Sequence, residues 1–278
     1  FDANLSVVLP DFLMNLLLAS GLRRQVSIKV INGVVDDVIQ KRLENPEAYA
    51  DKKDFLSLML NGEDKKDGTK LSAENMRYQL ITFLAAGYET TASMLGFCIY
   101  NLIKNPHVLE EARRSVDAVF ADKQDDELTF KDLSRLGYLK MVINETQRLW
   151  PTATGYFLRP KTSTLFDGKY EVTPEDVFFV GIPGLHRDPE VWGDNANNFV
   201  PEHFTPENIK SRPKHCLKPF GNGMRACIGR HFAVTEAVVV LAHLLRRFDL
   251  LDFSNYQLRI DESVTLKAKN LRIKVKVR

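Results

Sequence analysis

The chain has little cysteine, no excess of either charge and no long hydrophobic run. Cys98, Cys216 and Cys227 are its three cysteines, and none stands in a Cys-x-x-Cys spacing. An odd, scattered set excludes a disulfide framework and a four-cysteine zinc site, and it favours a reducing compartment. The 38 Lys+Arg against 36 Asp+Glu leave a net charge of +2. Without a concentrated basic surface there is no electrostatic case for nucleic acid. No apolar run reaches the roughly 20 residues that span a bilayer, and the stretch Phe12 to Ala19 is broken by Asn15. Internal repeats and low-complexity linkers are also lacking. The chain opens at Phe1 rather than at an initiator Met, so a targeting or anchoring segment stays open. What it does have is core material: 44% hydrophobic and 27% charged residues in 278 exclude disordered and collagen-like structure.

Helical periodicity fills the first half. Leu22 to Leu43 reads as one charged amphipathic helix ended by Asn45-Pro46, and the polar residues Asn61 to Lys70 as a loop. Ser72 is the expected N-cap of a long helix. Its stripe of Met76, Leu80, Phe83, Leu84, Gly87, Thr91, Leu95 and Cys98 predicts that it is mostly buried. Asn105-Pro106 ends it and starts another helix to about Phe120; Thr129 to Leu136 is short, and Tyr138 to Trp150 is helical until Pro151. Past Pro151 the pattern turns to short sheet. Thr162 to Phe166 and Tyr170 to Val172 flank Asp167-Gly168-Lys169, a hairpin signal, and Val177 to Ile182 is a further strand. Pro183 to Gly229 is a long irregular stretch of the kind that usually carries function. A last helix, about Arg230 to Phe248, precedes strand-like Leu258 to Ile260 and Leu271 to Val277. The fold class is mainly α with small β-sheets, an α+β arrangement.

Three constellations carry chemistry. In Phe220-Gly-Asn-Gly-Met-Arg-Ala-Cys-Ile-Gly229 a glycine-rich loop puts Cys227 just ahead of a helix, where the dipole and unpaired N–H groups favour a thiolate. Gly221, Gly223 and Gly229 permit close approach to something flat, Phe220 can shield the sulfur, and Arg225 offers donors to a carboxylate. Together they suit a metal–thiolate bond under a macrocycle, whereas Cys98 reads as a small buried hydrophobe. In Ala86-Gly87-Tyr88-Glu89-Thr90-Thr91, Ala86 and Thr90 share a helical face and leave a notch beside a hydroxyl, which can hold a water or dioxygen. Glu89 adds a carboxylate able to relay protons; a core helix with two threonines is the plainer reading. In Glu145-Thr-Gln-Arg148 the i,i+3 spacing pairs a carboxylate with a guanidinium. Met141, Val142, Leu149 and Trp150 around it predict a partly buried, structural pair that orients the loop region.

The order of these three, helix notch, Glu-x-x-Arg, then Phe-x-x-Gly-x-Arg-x-Cys-x-Gly, resembles the cytochrome P450 family from Asp54 to the C-terminus. Asn61-Gly62, Tyr78-Gln79, Ile81-Thr-Phe83, Lys104 to Leu109, Arg148 to Ala153 and Lys218 to Gly223 look like the self-sufficient fatty-acid hydroxylases, in which the haem domain continues into a diflavin reductase. The resemblance implies a monooxygenase with haem b, its iron held by Cys227 and a propionate by Arg225. Thr90 and Glu89 then deliver protons, and Ala153, Thr154 and Gly155 line the substrate pocket, with Tyr156 and Phe157 as walls. It further implies O2, a lipophilic substrate such as a long-chain fatty acid, and electrons from NADPH through a fused or separate reductase carrying FAD and FMN. Residues 1–278 are then the C-terminal portion of a single haem-binding domain, without its first sheet. The location is cytoplasmic, or the cytosolic face of a membrane if an anchor precedes. One departure is His203, in Pro201-Glu202-His203-Phe204, where the family carries the arginine that completes a triad with Glu145 and Arg148. Two alternatives remain. One is a haem-thiolate isomerase or dehydratase acting without reductase, for which Thr90 has no use; the other is a non-catalytic haem-binding fragment.

Overall fold

A computed structural model of the chain describes residues 21–121, 123, 127–253 and 255–278; Phe12 to Ala19 lie outside the described residues. The chain divides between Ala86 and Gly87 into two compact units, each described by itself.

In the first unit, α1 (Gly21–Glu44) ends on Lys41 and Arg42, whose positive charges suit the carboxyl end of a helix. A 3-10 turn at Pro46–Tyr49 leads to α2 (Phe55–Asn61). Asp54 caps α2 by accepting from Ser57 N–H at 2.9 Å, and the Arg42 fork reaches the same carboxylate at 3.1 and 3.0 Å. Val35, Ile39, Leu56 and Met76 form a small core. The long helix α3 (Ala73–Lys104) begins here, with Ser72 Oγ accepting from Asn75 N–H at 3.2 Å as its cap.

α3 is not mostly buried. After Met76, which sits in the first unit's core, Leu84 and Tyr88 are open, and burial resumes at Thr91, because from Met94 onward the stripe enters the main core of the second unit. There α3 packs with α4 (Pro106–Phe120), α5 (Phe130–Arg135), α6 (Gly137–Leu149) and the last helix around Cys98, Leu102, Ala112, Val142, Ile143 and Leu241. Each fully buried aliphatic side chain contributes about 1.5–3 kcal/mol, so this cluster dominates the unit's stability. Asn105 and Thr129 start α4 and α5, the latter through a full capping box with Asp132.

Sheet structure is confined to four antiparallel pairs among the described residues. β1 (Gly155–Leu158) pairs with β4 (Phe178–Gly181), and β2 (Thr164–Phe166) with β3 (Tyr170–Val172). The β2–β3 turn has Asp167 and Gly168 at φ 52° and 66°, the left-handed geometry its sequence calls for. After β4 the expected irregular stretch breaks into short pieces: α7 (Ile182–Leu185), α8 (Pro189–Trp192), α9 (Pro206–Ser211) and 3-10 turns at Gly193–Asn195, Pro201–Phe204 and Gly223–Arg225. Prolines in the first turn, which need no N–H partner there, start several of them. The last helix, α10 (Arg230–Arg247), runs into β5 (Phe248–Asp252), which pairs with β8 (Ile273–Val277). Between these strands lies the hairpin β6 (Ile260–Glu262) and β7 (Leu266–Ala268).

Candidate functional site

The loop before α10 is set by its glycines. Gly221 and Gly223 take φ 66° and 67°, a region costly to any residue with a Cβ. Cys227 N–H then donates to Phe220 O at 2.9 Å and Ala226 N–H to Gly223 O at 3.1 Å, which closes the loop on itself. Gly229 differs from the other two: its φ is −82°, and a Cβ there would meet Cys227 Sγ at an ordinary 3.8 Å. Cys227 is consequently exposed, ahead of the first turn of α10, while Cys98 is buried and Cys216 half-buried. Burial pushes the Cys98 thiol up to about 12 and also raises Cys216. Around Cys227 the same stretch turns Met224 (96% exposed), Ile228 (80%) and Phe232 (63%) outward, an apolar surface of a kind that proteins normally cover with a ligand or partner. Arg225 is exposed beside them, and Phe220 packs against the main core with the Arg230 guanidinium 5.7 Å from its ring centre.

Glu145 and Arg148, on the last turns of α6, are both wholly buried. Their fork is bidentate, Nε to Oε2 and Nη2 to Oε1, both at 2.7 Å. Arg148 Nη1 also donates to the carbonyls of His186 (2.9 Å) and Ala196 (2.6 Å), and Nη2 to that of Asn198 (2.8 Å). Glu145 Oε1 accepts from Val200 N–H at 2.8 Å and lies 3.1 Å from His203 Nδ1, so an imidazole fills the third position of the cluster. Burial alone would raise the Glu145 carboxyl, but Arg148, His203 and the Val200 amide outweigh it and hold it below the usual range. His186, which the sequence reading passed over, extends the cluster to the cysteine loop. Its Nδ1 stands 3.2 Å from Arg148 O while Nε2 accepts from Lys218 N–H at 2.8 Å, which fixes the Nδ1–H tautomer.

Thr90 and Glu89 are half-buried on α3, one turn past the exposed Ala86. Glu89 is engaged rather than loose. Its Oε1 accepts from Thr265 Oγ1 at 2.6 Å and meets Lys267 Nζ at 2.5 Å, both from the β6–β7 hairpin. Lys267 and then Thr265 hold its carboxyl below the usual range. No local signal reveals these partners, which lie about 176 residues away. The hairpin also accounts for the turn after Pro151, since Leu266 N–H donates to Thr152 O at 2.9 Å. Ala153 is exposed and Thr154 half-buried, and Thr154 O accepts from Ile182 N–H at 2.9 Å. Gly155 is required where it stands, because a Cβ would fall 2.3 Å from Phe179 Cζ and 2.4 Å from Val180 O. Tyr156 and Phe157 follow on β1, with Phe157 against Phe179 at 5.1 Å between ring centres. Glu89 and the turn at Thr152 are thus tied through the hairpin, whose tip carries Val264, 91% exposed.

A family model described as Cytochrome P450 matches residues 2–275. A bifunctional cytochrome P450/NADPH–P450 reductase of Bacillus cereus is 44% identical over 252 residues, 90% of this chain and 23% of that protein. Bifunctional cytochrome P450/NADPH–P450 reductase 1 of Bacillus subtilis is 45% identical over 251 residues, again 90% and 23%. A self-sufficient cytochrome P450 monooxygenase of Phanerodontia chrysosporium is 39% identical over 268 residues, 96% and 25%. The chain therefore spans about a quarter of the length of these relatives.

Proposed function

Since this chain belongs to the cytochrome P450 family, we propose that it forms the haem-thiolate part of a monooxygenase that hydroxylates a lipophilic substrate, a long-chain fatty acid. The observation that carries this reading is the exposed Cys227 thiol, held ahead of a helix amid outward-facing Met224, Ile228 and Phe232. A flat apolar macrocycle with anionic arms fits those residues: Cys227 Sγ would hold the iron, Met224, Ile228 and Phe232 would supply apolar contact, and exposed Arg225 would hold a propionate. When bound, the haem supplies activation of O2, with thiolate donation favouring O–O cleavage.

The chain's own residues then do the following. Gly221, Gly223 and the Phe220 carbonyl keep the sulfur in one position, and the Glu145–Arg148 cluster, through His186 and Lys218, braces the loop that carries it. Thr90, beside Ala86, holds a water or proton at its hydroxyl, and Glu89 resupplies it. Ala153 and Thr154 leave room for a slender alkyl chain, and Gly155, whose side-chain space is taken by Phe179 and Val180, lines it with backbone alone. Electrons come from NADPH through a reductase, as the names of the relatives suggest, and that reductase would carry FAD and FMN. Residues 1–278 are read as part of one haem-binding domain. A cytoplasmic location is consistent with the described residues, in which no helix is long and apolar enough to cross a membrane.

Product analysis of the full-length protein with NADPH and saturated fatty acids of several lengths tests the substrate. Hydroxylated acids are expected, and Ala153→Phe should shift the oxidised position or block longer chains, because overpacking leaves no room for the same pose. Neither a substrate-induced spectral change nor an oxidised product across the series would overturn the fatty-acid reading.

A further inference from the structure

The Glu89–Lys267 pair has 38% and 39% of its side chains exposed, and pairs that open to solvent contribute little to stability. Stability alone is a weak reason for it. Its placement is nevertheless set by backbone: Leu266 N–H on Thr152 O and the register Ile260↔Ala268, Glu262↔Leu266 bring Thr265 and Lys267 to the same oxygen of Glu89. Beside the pair a cleft of about 400 Å³ opens to solvent, bounded by Tyr88, Ser93, Gly96 and Lys267, with Glu89 in its wall. A Cβ at Gly96 would meet nothing within 4 Å, so this part of α3 leaves the cleft unfilled. At about 30 Å³ for each water, the volume takes roughly a dozen molecules.

A carboxylate that resupplies protons needs a route to bulk water and a fixed orientation toward it. We propose that Lys267 and Thr265 are positioning residues for the proton supply: they hold the Glu89 carboxylate at the cleft, whose water resupplies Glu89 and through it Thr90. This rests on the reading of Glu89 and Thr90 given above. The groups that bear on the pair are few. Lys267 is the cation facing Glu89, and Asp261 and Tyr88 act in turn on Lys267.

The test uses full-length holoprotein and two readouts. The infrared carboxyl band of Glu89, identified by its loss in Glu89→Gln, is followed against pH; the ratio of peroxide to hydroxylated product is measured over the same range. Lys267→Met should move the Glu89 titration upward and shift the acid limb of the coupling profile with it. KM for the substrate should stay unchanged, and Lys267→Arg should restore the parent behaviour. Thr265→Val should act in the same direction but less, and neither variant should change anything further in the Glu89→Gln background. A Glu89 titration that stays at the parent position in Lys267→Met, while Thr90→Ala still releases peroxide, overturns the role of Lys267 and leaves the proton-delivery reading standing. A Glu89→Gln variant as tightly coupled as the parent overturns that reading, and this inference with it.

Discussion

Arg148 shows how completely one side chain can be committed to structure. A guanidinium has five N–H donors. In Arg148, Nε and Nη2 meet Glu145, and the remaining donors of Nη1 and Nη2 meet the carbonyls of His186, Ala196 and Asn198, so all are spent inside the protein. The ring of Trp192 lies 4.8 Å from its Cζ, with Arg212 4.3 Å from the same ring centre. Such a group acts by fixing the 186–198 backbone, not by reacting. Removing Glu145 strands a buried cation at a cost of about 3–5 kcal/mol. Glu145→Ala is therefore expected to yield little soluble haem-loaded protein, with a correspondingly lower urea midpoint. A well-folded, fully loaded Glu145→Ala variant with merely slower turnover would contradict this account. The i,i+3 pair was legible from the spacing alone. Its carbonyl acceptors were not, because they lie 38 to 50 residues on in a stretch without periodicity.

Between elements, His186 is the strut that joins the end of α6 to the segment leading into the cysteine loop. Burial pushes its imidazole down to about 4 from an ordinary 6.5, with the Arg148 and Arg187 charges adding to the effect. The unfolded chain therefore takes up the proton first. Stability is unaffected by this group above about pH 6.5, declines as pH falls, and has lost its full contribution below about pH 4. At about 1.4 kcal/mol for each pH unit between the two values, the loss is of order 3 kcal/mol. Urea unfolding between pH 7 and 4 should show this slope in the parent and a shallower one in His186→Asn; equal slopes would contradict the strut. Elements were legible where chemistry punctuates them: Asn45-Pro46, Asn105-Pro106, Ser72, Thr129 and Asp167-Gly168 all mark boundaries in the structure. β1 and β5 are short strands that exist by pairing with distant partners, β7 is a three-residue arm of a hairpin, and no local alternation announces them. The stripe along α3 read as continuous burial, since periodicity tells which side chains share a face but not whether anything covers it.

For the whole molecule, motif order carried further than any single motif. A notch, an ion pair and a cysteine loop in that sequence pointed to the family that the family model matches over residues 2–275. The tertiary links between them, Glu89 to the hairpin and Arg148 through His186 to Lys218, became visible only in three dimensions. The proposed function rests on Cys227 as the ligand of a haem iron. The most direct measurement is the reduced carbon monoxide difference spectrum of the full-length protein beside its Cys227→Ala, Cys98→Ala and Cys216→Ala variants. The account predicts a thiolate-type band in the parent, in Cys98→Ala and in Cys216→Ala, and its loss in Cys227→Ala; a thiolate-type band that survives in Cys227→Ala would contradict it.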